Sequence, residues 1–337
     1  MEKNKLVKDI ARSLGIDLCG ITDYRLEEDR IAWLRLRKEI NYETEFEESN
    51  IELRLNKELT LEGARSIIVI GLSYNTPRPQ GQDPDLRGSL SKVSWGQDYH
   101  RVLEDKLREL ALRLGESLDF NYKAFVDTGP LIDRELARLA GLGYFGKNCS
   151  IINDRYGSFF AIGYIITDIE IANDRPLETT CGDCDLCLRA CPTGALEGPY
   201  RVNPKKCLSY LTQSKEIAEP MREKMGDRIY GCDSCQLACP KNRQVELSGE
   251  EAFMAWKTRG YVDIEELLTM SNREFKEKYG SMSGSWRGKN ILKRNSIIAL
   301  TNLGPGRHMD LVRDQAKSDS PLVRDCALWA LEKFKDR

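Results

Sequence analysis

Histidine is nearly missing from this chain: His100 and His308 are the only two in 337 residues. That leaves no His-rich metal site and no imidazole pair for catalysis, so a proton donor has to be sought among the carboxyl groups. No G-x-G-x-x-G follows a strand-like run, and a dinucleotide site is therefore unsupported. Nothing approaches the ~20 uninterrupted apolar residues of a membrane span. Residues 1–15 read as an amphipathic helix with neither an apolar run nor a small-residue cleavage site. The expectation is a soluble, cytoplasmic protein that engages no membrane. An excess of one charge is absent too: 51 Lys plus Arg stand against 53 Asp plus Glu, so a polyanion would have to be met by a local patch. A hydrophobic fraction of 41% with five Trp argues against disorder, and the length allows two or three domains.

Cysteine is what the chain has in quantity. Eight of its eleven cysteines crowd between Cys181 and Cys239, and clustering of that kind in a chain without an export signal points to metal rather than disulfides. The first group, Cys181, Cys184, Cys187 and Cys191 followed by Pro192, has the C-x2-C-x2-C-x3-C-P spacing of two-cluster bacterial ferredoxins, in which the fourth cysteine ligates the other cluster. The second group repeats that ending at Cys232, Cys235, Cys239 and Pro240, with its first member moved upstream to Cys207. A pseudo-twofold exchange assigns Cys181, Cys184, Cys187 and Cys239 to one [4Fe-4S] cluster and Cys191, Cys207, Cys232 and Cys235 to a second, near enough to exchange electrons. Structural zinc uses separated C-x-x-C pairs and does not need the swapped Cys-Pro. Cys19, Cys149 and Cys326 lie outside the pattern and are expected to be small buried hydrophobes.

Around these cysteines three regions are expected: an α/β domain over 1–170, a ferredoxin-like two-cluster domain over 171–245, and an all-α domain over 246–337. Strand-like runs at 66–74, 122–126 and 159–166 are separated by helical patterns near 3–14, 98–114 and 131–141, which implies a layered α/β core. Residues 77–88, with three prolines, read as an interrupting loop, either a lid or a plain excursion. The cluster segment is expected to need little apolar core because iron–sulfur bonds would cross-link it. Beyond about 250 strands are expected to vanish. There, Ile297, Ala299 and Leu300 align with Leu328, Ala330 and Leu331 at a spacing of 31 residues, which resembles a HEAT-type helical repeat.

Outside the clusters, Asp127 closes a strand and Pro130 is expected to open a helix, with Asp133 one turn inside it. Taken alone, these residues could be a cap and solvated charges, and Gly141, Gly143 and Gly146 a helix end. Ser94-Trp-Gly-Gln-Asp-Tyr-His100 crowds aromatic and polar groups ahead of another helix. Ser285, Trp286, Arg287, Lys289, Lys293 and Arg294 place four cations and an indole within about three helical turns. That stretch could track phosphates and stack a base, or could be an ordinary basic helix face.

Together these stretches are similar to one known family. Val126-Asp-Thr-Gly-Pro-Leu-Ile-Asp-Arg134, Ala140-Gly-Leu-Gly-Tyr-Phe-Gly-Lys-Asn148, the Ser94–His100 run, Pro192-Thr-Gly-Ala-Leu196, Cys207-Leu-Ser-Tyr-Leu-Thr-Gln213 and Tyr230-Gly-Cys-Asp-Ser-Cys235 resemble the epoxyqueuosine reductases over nearly the whole length. The resemblance implies a base-off cobalamin in the α/β domain, two [4Fe-4S] clusters feeding it electrons from an external low-potential donor, and a helical domain that helps to grip transfer RNA. The implied reaction removes the epoxide oxygen of epoxyqueuosine at the wobble position. It implies Asp133 as proton donor, and Arg54, Asp133, Lys147, Ser209 and Gln213 as cobalamin contacts. A monomer is expected, and Trp286, Arg287, Lys289, Lys293 and Arg294 are the expected RNA contacts. The competing readings are a cobalamin iron–sulfur reductase of a small molecule, resembling the reductive dehalogenases, and a two-cluster electron carrier without catalysis.

Overall fold

Ser-Ile-Ile-Val-Ile-Gly-Leu-Ser at 66–73 is rich in β-branched residues and buried at every position, so a strand made from it needs cover on both faces. In the computed structural model, which describes residues 2–81, 84–304, 306 and 308–335, this strand is β2 (Ser66–Ser73). It lies inside a four-stranded sheet ordered β1-β2-β7-β4, with β1 at Leu18–Thr22, β4 at Tyr122–Val126 and β7 at Phe160–Thr167. All its pairings are antiparallel, with Ile21 opposite Ile68 and Ile67 opposite Ile166. Alternation then sorts the side chains. Ile68, Ile70 and Leu72 pack with α1 (Glu2–Ser13) and α4 (Tyr99–Gly115), while Ile67 and Val69 pack with α5 (Asp133–Leu139). The layers expected from sequence are present.

The cysteine-rich segment is less self-contained than its cross-links suggest. Short helices α6 (Leu186–Arg189) and α9 (Ser234–Leu237), one in each cysteine run, pack on each other. Two small hairpins flank them, β5 (Tyr144–Phe145) with β6 (Ile151–Ile152) and β8 (Leu196–Gly198) with β9 (Arg201–Val202). Between the runs, α7 (Leu208–Leu211) and α8 (Glu219–Lys224) contribute Leu208, Leu211 and Met221 to the core of the C-terminal helices, where Ile217, Met225 and Ile229 are also buried. Little apolar core was expected here, and the structure corrects that. The intervening stretch between Cys207 and Cys232 is long enough to need burial of its own.

Strands also persist past residue 250. β11 (Tyr261–Asp263) pairs antiparallel with β3 (Arg87–Leu90), which pairs parallel with β10 (Arg228–Tyr230) on its other side. This small sheet joins all three expected regions, and it places the end of the 77–88 loop in regular structure. Gln82 and Asp83 of that loop lie outside the described residues. Arg78 stacks on Tyr261 at 4.0 Å from the ring centre.

The remaining helices are α10 (Ile264–Thr269), α11 (Asn272–Tyr279), α12 (Lys289–Leu303), α13 (Met309–Gln315) and α14 (Pro321–Lys335). α12 is central, with buried residues on every face, whereas Leu328 of α14 is half exposed. The aligned positions Ile297 and Leu328 are thus not equivalent in burial. Among the described residues no helix is long and apolar enough to cross a membrane.

Polar side chains of α12 hold the cluster segment. Asn295 donates to the carbonyls of Thr212 and Ile229, both at 2.7 Å. Arg294 donates to those of Ser214 and Lys215 at 2.9 and 3.0 Å, and Asn302 to those of Arg222 and Gly226. Arg294, expected to meet RNA, is buried at 3% exposure and spends its guanidinium on backbone, so it is corrected to a structural residue. Lys289 and Lys293 donate to the carbonyls of Met270 and Leu268 at the end of α10, where cations suit the helix dipole. Charge made these residues look solvated, but free carbonyl groups in the neighbouring segment claim them. Asn295→Ala leaves two buried carbonyls unpaired and is expected to cost about 2–4 kcal/mol, read from melts of the iron-loaded protein beside wild type.

Candidate active site

Past Val126 the chain turns through Asp127, whose φ of 55° is left-handed, a conformation Asp tolerates better than most residues. At Gly129 a Cβ would stand 2.1 Å from the Tyr164 hydroxyl, so a larger residue does not fit. That hydroxyl accepts the Leu131 amide at 3.2 Å. The Tyr24 hydroxyl accepts the Ile132 amide at 3.2 Å and donates to the Arg54 carbonyl at 2.8 Å. The two phenols satisfy the amides of the two residues ahead of the helix, and α5 opens at Asp133, later than Pro130.

Asp133 is half buried, and its Oδ1 is closed to solvent with no hydrogen-bond partner. Burial, then the charge of Asp127, push its carboxyl well above the ordinary range against the pull of Arg134 and of the Asp127 amide. Asp127 accepts from the Tyr99 hydroxyl at 2.9 Å and lies 3.5 Å from His100 Nε2. Burial alone would raise it, yet His100 and Tyr99 hold it below the usual carboxylate range. His100 Nδ1 sits 2.7 Å from Asp98. Burial disfavours its charge, but the bonds to Asp127 and Asp98 prevail and raise it to about 9. Two neighbouring carboxyls are thereby driven apart, one below the ordinary range and one above it, which is the arrangement that separates acid from base in catalytic sites.

Both open on a cavity of about 650 Å³, a size proper to cofactor and ligand sites. One wall comes from α2 (Glu28–Glu39) through Arg30, Trp33 and Arg37, and from α3 (Ile51–Leu55) through Arg54. Glu47 ties two of these arginines down, with Arg37 nitrogens at 3.0 and 2.9 Å and Arg54 Nη1 at 2.6 Å. The Asn148 amide nitrogen on the same cavity is buried without a partner. The lining also includes Ser209, Tyr210 and Gln213, together with Cys191, Cys207, Cys232 and Cys235. A smaller cavity of about 240 Å³ adjoins it, sharing Tyr99, Asp127, Asp133 and Arg134.

The eight thiols are free. Cys187 is pushed up by burial and then by Cys181 and Cys239, and Cys239 by burial and then by Cys181 and Cys184, a Lys241 amide opposing. Cys207 is raised by burial and, more weakly, by Cys232 and Cys191; Cys235 by burial, Cys207 and Cys232. These neighbourhoods are the two sets read from the spacing. Cys187 also acts on Cys235, so the groups adjoin. Around Cys191 burial is outweighed by the Leu196 and Thr193 amides and the Thr193 hydroxyl, which favour the thiolate.

Of the other expected contacts, Arg54, Asp133, Ser209 and Gln213 reach the cavity, while Lys147 does not. Lys147 lies between β5 and β6, with its carbonyl accepting from the Tyr200 amide. Its neighbours Asn148 and Cys149 take the wall positions. Cys149 is accordingly a lining residue, whereas Cys326 is sealed in the helical core. Trp286 is 56% exposed and packs edge-on against Phe46 of the cavity wall at 5.6 Å, with Arg287 over its ring at 4.8 Å.

Comparison with known proteins decides the family. A protein of Bacillus anthracis named epoxyqueuosine reductase is 41% identical over 99% of this chain and 90% of its own length. The chain belongs to the epoxyqueuosine reductase family. The family model for epoxyqueuosine reductase QueG, DUF1730, matches residues 54–128, and a 4Fe-4S double cluster binding domain matches 180–242. Among solved structures, epoxyqueuosine reductase with an epoxyqueuosine-modified tRNA-Tyr stem loop superposes with a TM-score of 0.95 at 37% identity, covering 99% of this chain and 90% of that one. The Streptococcus thermophilus epoxyqueuosine reductase gives 0.93 at 38%, covering 100% and 91%.

Several lining residues of this family member escape sequence reading. α2 carries Glu28 and Asp29 in its first turn and Arg37 and Lys38 in its last, a dipole-matched signal that marks the helix, but nothing local directs Arg30 and Trp33 to a cavity. Assignment of the thiols to two clusters predicts that Cys207→Ser lowers bound iron by about half, while Cys326→Ser leaves it unchanged, as measured by iron and sulfide analysis after reconstitution.

Proposed function

We propose that this chain reduces epoxyqueuosine to queuosine at the wobble position of transfer RNA. Two electrons and two protons convert the epoxide to an alkene and water. The observation that carries this reading is the shared cavity, lined by Asp133 and by all four thiols of the second set. Electrons from a cluster held there need cross no further layer of protein.

The cavity suits a cobalamin. It offers unpartnered polar atoms on Asp133 and Asn148 for the amide-fringed edge of a corrin, and among the described residues no histidine lines it, in keeping with a base-off form. Arg54, Ser209 and Gln213 are the residues that would hold the cofactor. Bound there, cobalamin would supply a strongly reducing cobalt centre, and the clusters would supply single electrons. The protein's own part is to hold a proton on Asp133, orient it through Tyr24 and Tyr164, which fix the two residues ahead of it, and exclude water. Asp133 gives its proton to the epoxide oxygen as the C–O bond breaks.

Trp286 and Arg287 stand beside Phe46 and Tyr210 near the cavity, and are the parts of the expected RNA set suited to stacking a splayed loop base. We assign 1–170 to the cofactor, 171–245 to the clusters and 246–337 to RNA.

Anaerobic incubation of the iron-loaded protein with a reductant and epoxyqueuosine-containing transfer RNA, read by nucleoside mass, is expected to remove one oxygen only when cobalamin is added. Persistence of the epoxide under those conditions would refute the reading. Asp133→Asn should keep both clusters and lose about 10²–10⁴-fold in turnover. Because the acid form is required, the wild-type rate should fall as pH rises through the elevated pKa of Asp133.

A further inference from the structure

We propose that His100 is a positioning residue for the proton donor Asp133, acting through Asp127. His100 lines neither cavity, so it acts on Asp133 at second hand. It stands in the first turn of α4, where the helix dipole disfavours a cation, and its ring nitrogens are both directed at carboxylates, Nδ1 at Asp98 and Nε2 at Asp127. The helix dipole does not call for a charge at this position; the Asp98 and Asp127 carboxylates do.

The groups around the relay are few. Facing His100 are Asp98, Asp127 and the stacked ring of Tyr99 at 4.2 Å. Facing Asp127 are His100, Tyr99, Arg134 and Tyr230, and facing Asp133 are Asp127, Arg134, Arg54, Tyr24 and Tyr164. Within this set the path from His100 to Asp133 runs through one residue. The imidazolium and the Tyr99 hydroxyl hold the Asp127 carboxylate, which lines both cavities together with Asp133. The same imidazolium offsets the Asp127 charge that Asp133 feels. His100 therefore sets the strength of the acid.

This inference rests on Asp133 being the proton donor, and the test separates the two ideas. The probe is the protonated-carboxyl infrared band of Asp133, recognised by its loss in Asp133→Asn and titrated with pH in the full-length, iron-loaded chain without substrate. His100→Gln keeps a donor near Asp127 but removes the charge, and its midpoint is expected to rise by about one unit. Asp127→Asn, which tolerates the same backbone, is expected to lower the midpoint by a similar amount. It reads the coupling independently should His100→Gln fail to load its clusters. In turnover, the alkaline limb of His100→Gln should move with the midpoint. A midpoint unmoved in either folded variant overturns the proposal, whatever its rate. Wild-type turnover in Asp133→Asn would overturn the proton-donor reading and this inference together.

Discussion

The bonds from α12 to the carbonyls of the 212–230 segment are the constraint on which the rest depends. Cys207 and Cys232 flank that segment, and Asn295 spans its two ends by bonding Thr212 and Ile229. A loop of this length would otherwise cost entropy to close and would leave the upstream cysteine free to wander from its partners. Arg294 and Asn302 add four more carbonyl bonds along the same helix. The second thiol set can thus form a wall of a cavity whose other side belongs to residues before 150.

Across that cavity the chemistry is arranged by unlike environments for like groups. Glu47 is held low by two arginines and Asp127 by His100 and Tyr99, while Asp133 is pushed up by burial and by Asp127. An acid of raised pKa, fixed cations and thiols line one space. Single-electron transfer and proton delivery can then meet on one substrate without either crossing bulk water.

How much of this was legible in the sequence depended on whether the signal was local. The two-cluster domain was readable because ligation fixes spacing, and a swapped Cys-Pro cysteine has meaning within a few residues. The central strands were readable from their β-branched runs. Asp133 stood in a plain-looking helix start, and only the combination of motifs across the chain gave it a role. Arg294 was misread because a cation in a basic stretch looks solvated unless the carbonyls of Ser214 and Lys215 are known to face it. Lys147 was misread because one step along a hairpin turn exchanges wall for backbone. Glu47, Tyr24 and the α2 side chains were not readable at all, since their partners are distant in sequence and their own surroundings are ordinary. β11 was too short to show a period.

The three-stranded sheet has a consequence for how the molecule is made. β3 is synthesised early, but both its partners, at 228–230 and 261–263, emerge from the ribosome much later. Non-local pairing of this kind is slow to form, and until it does the region between the two cysteine runs lacks its edge. The scaffold behind the second thiol set therefore closes only after residue 263 has been made. A chain stalled before that point would present cysteines without the scaffold that sorts them.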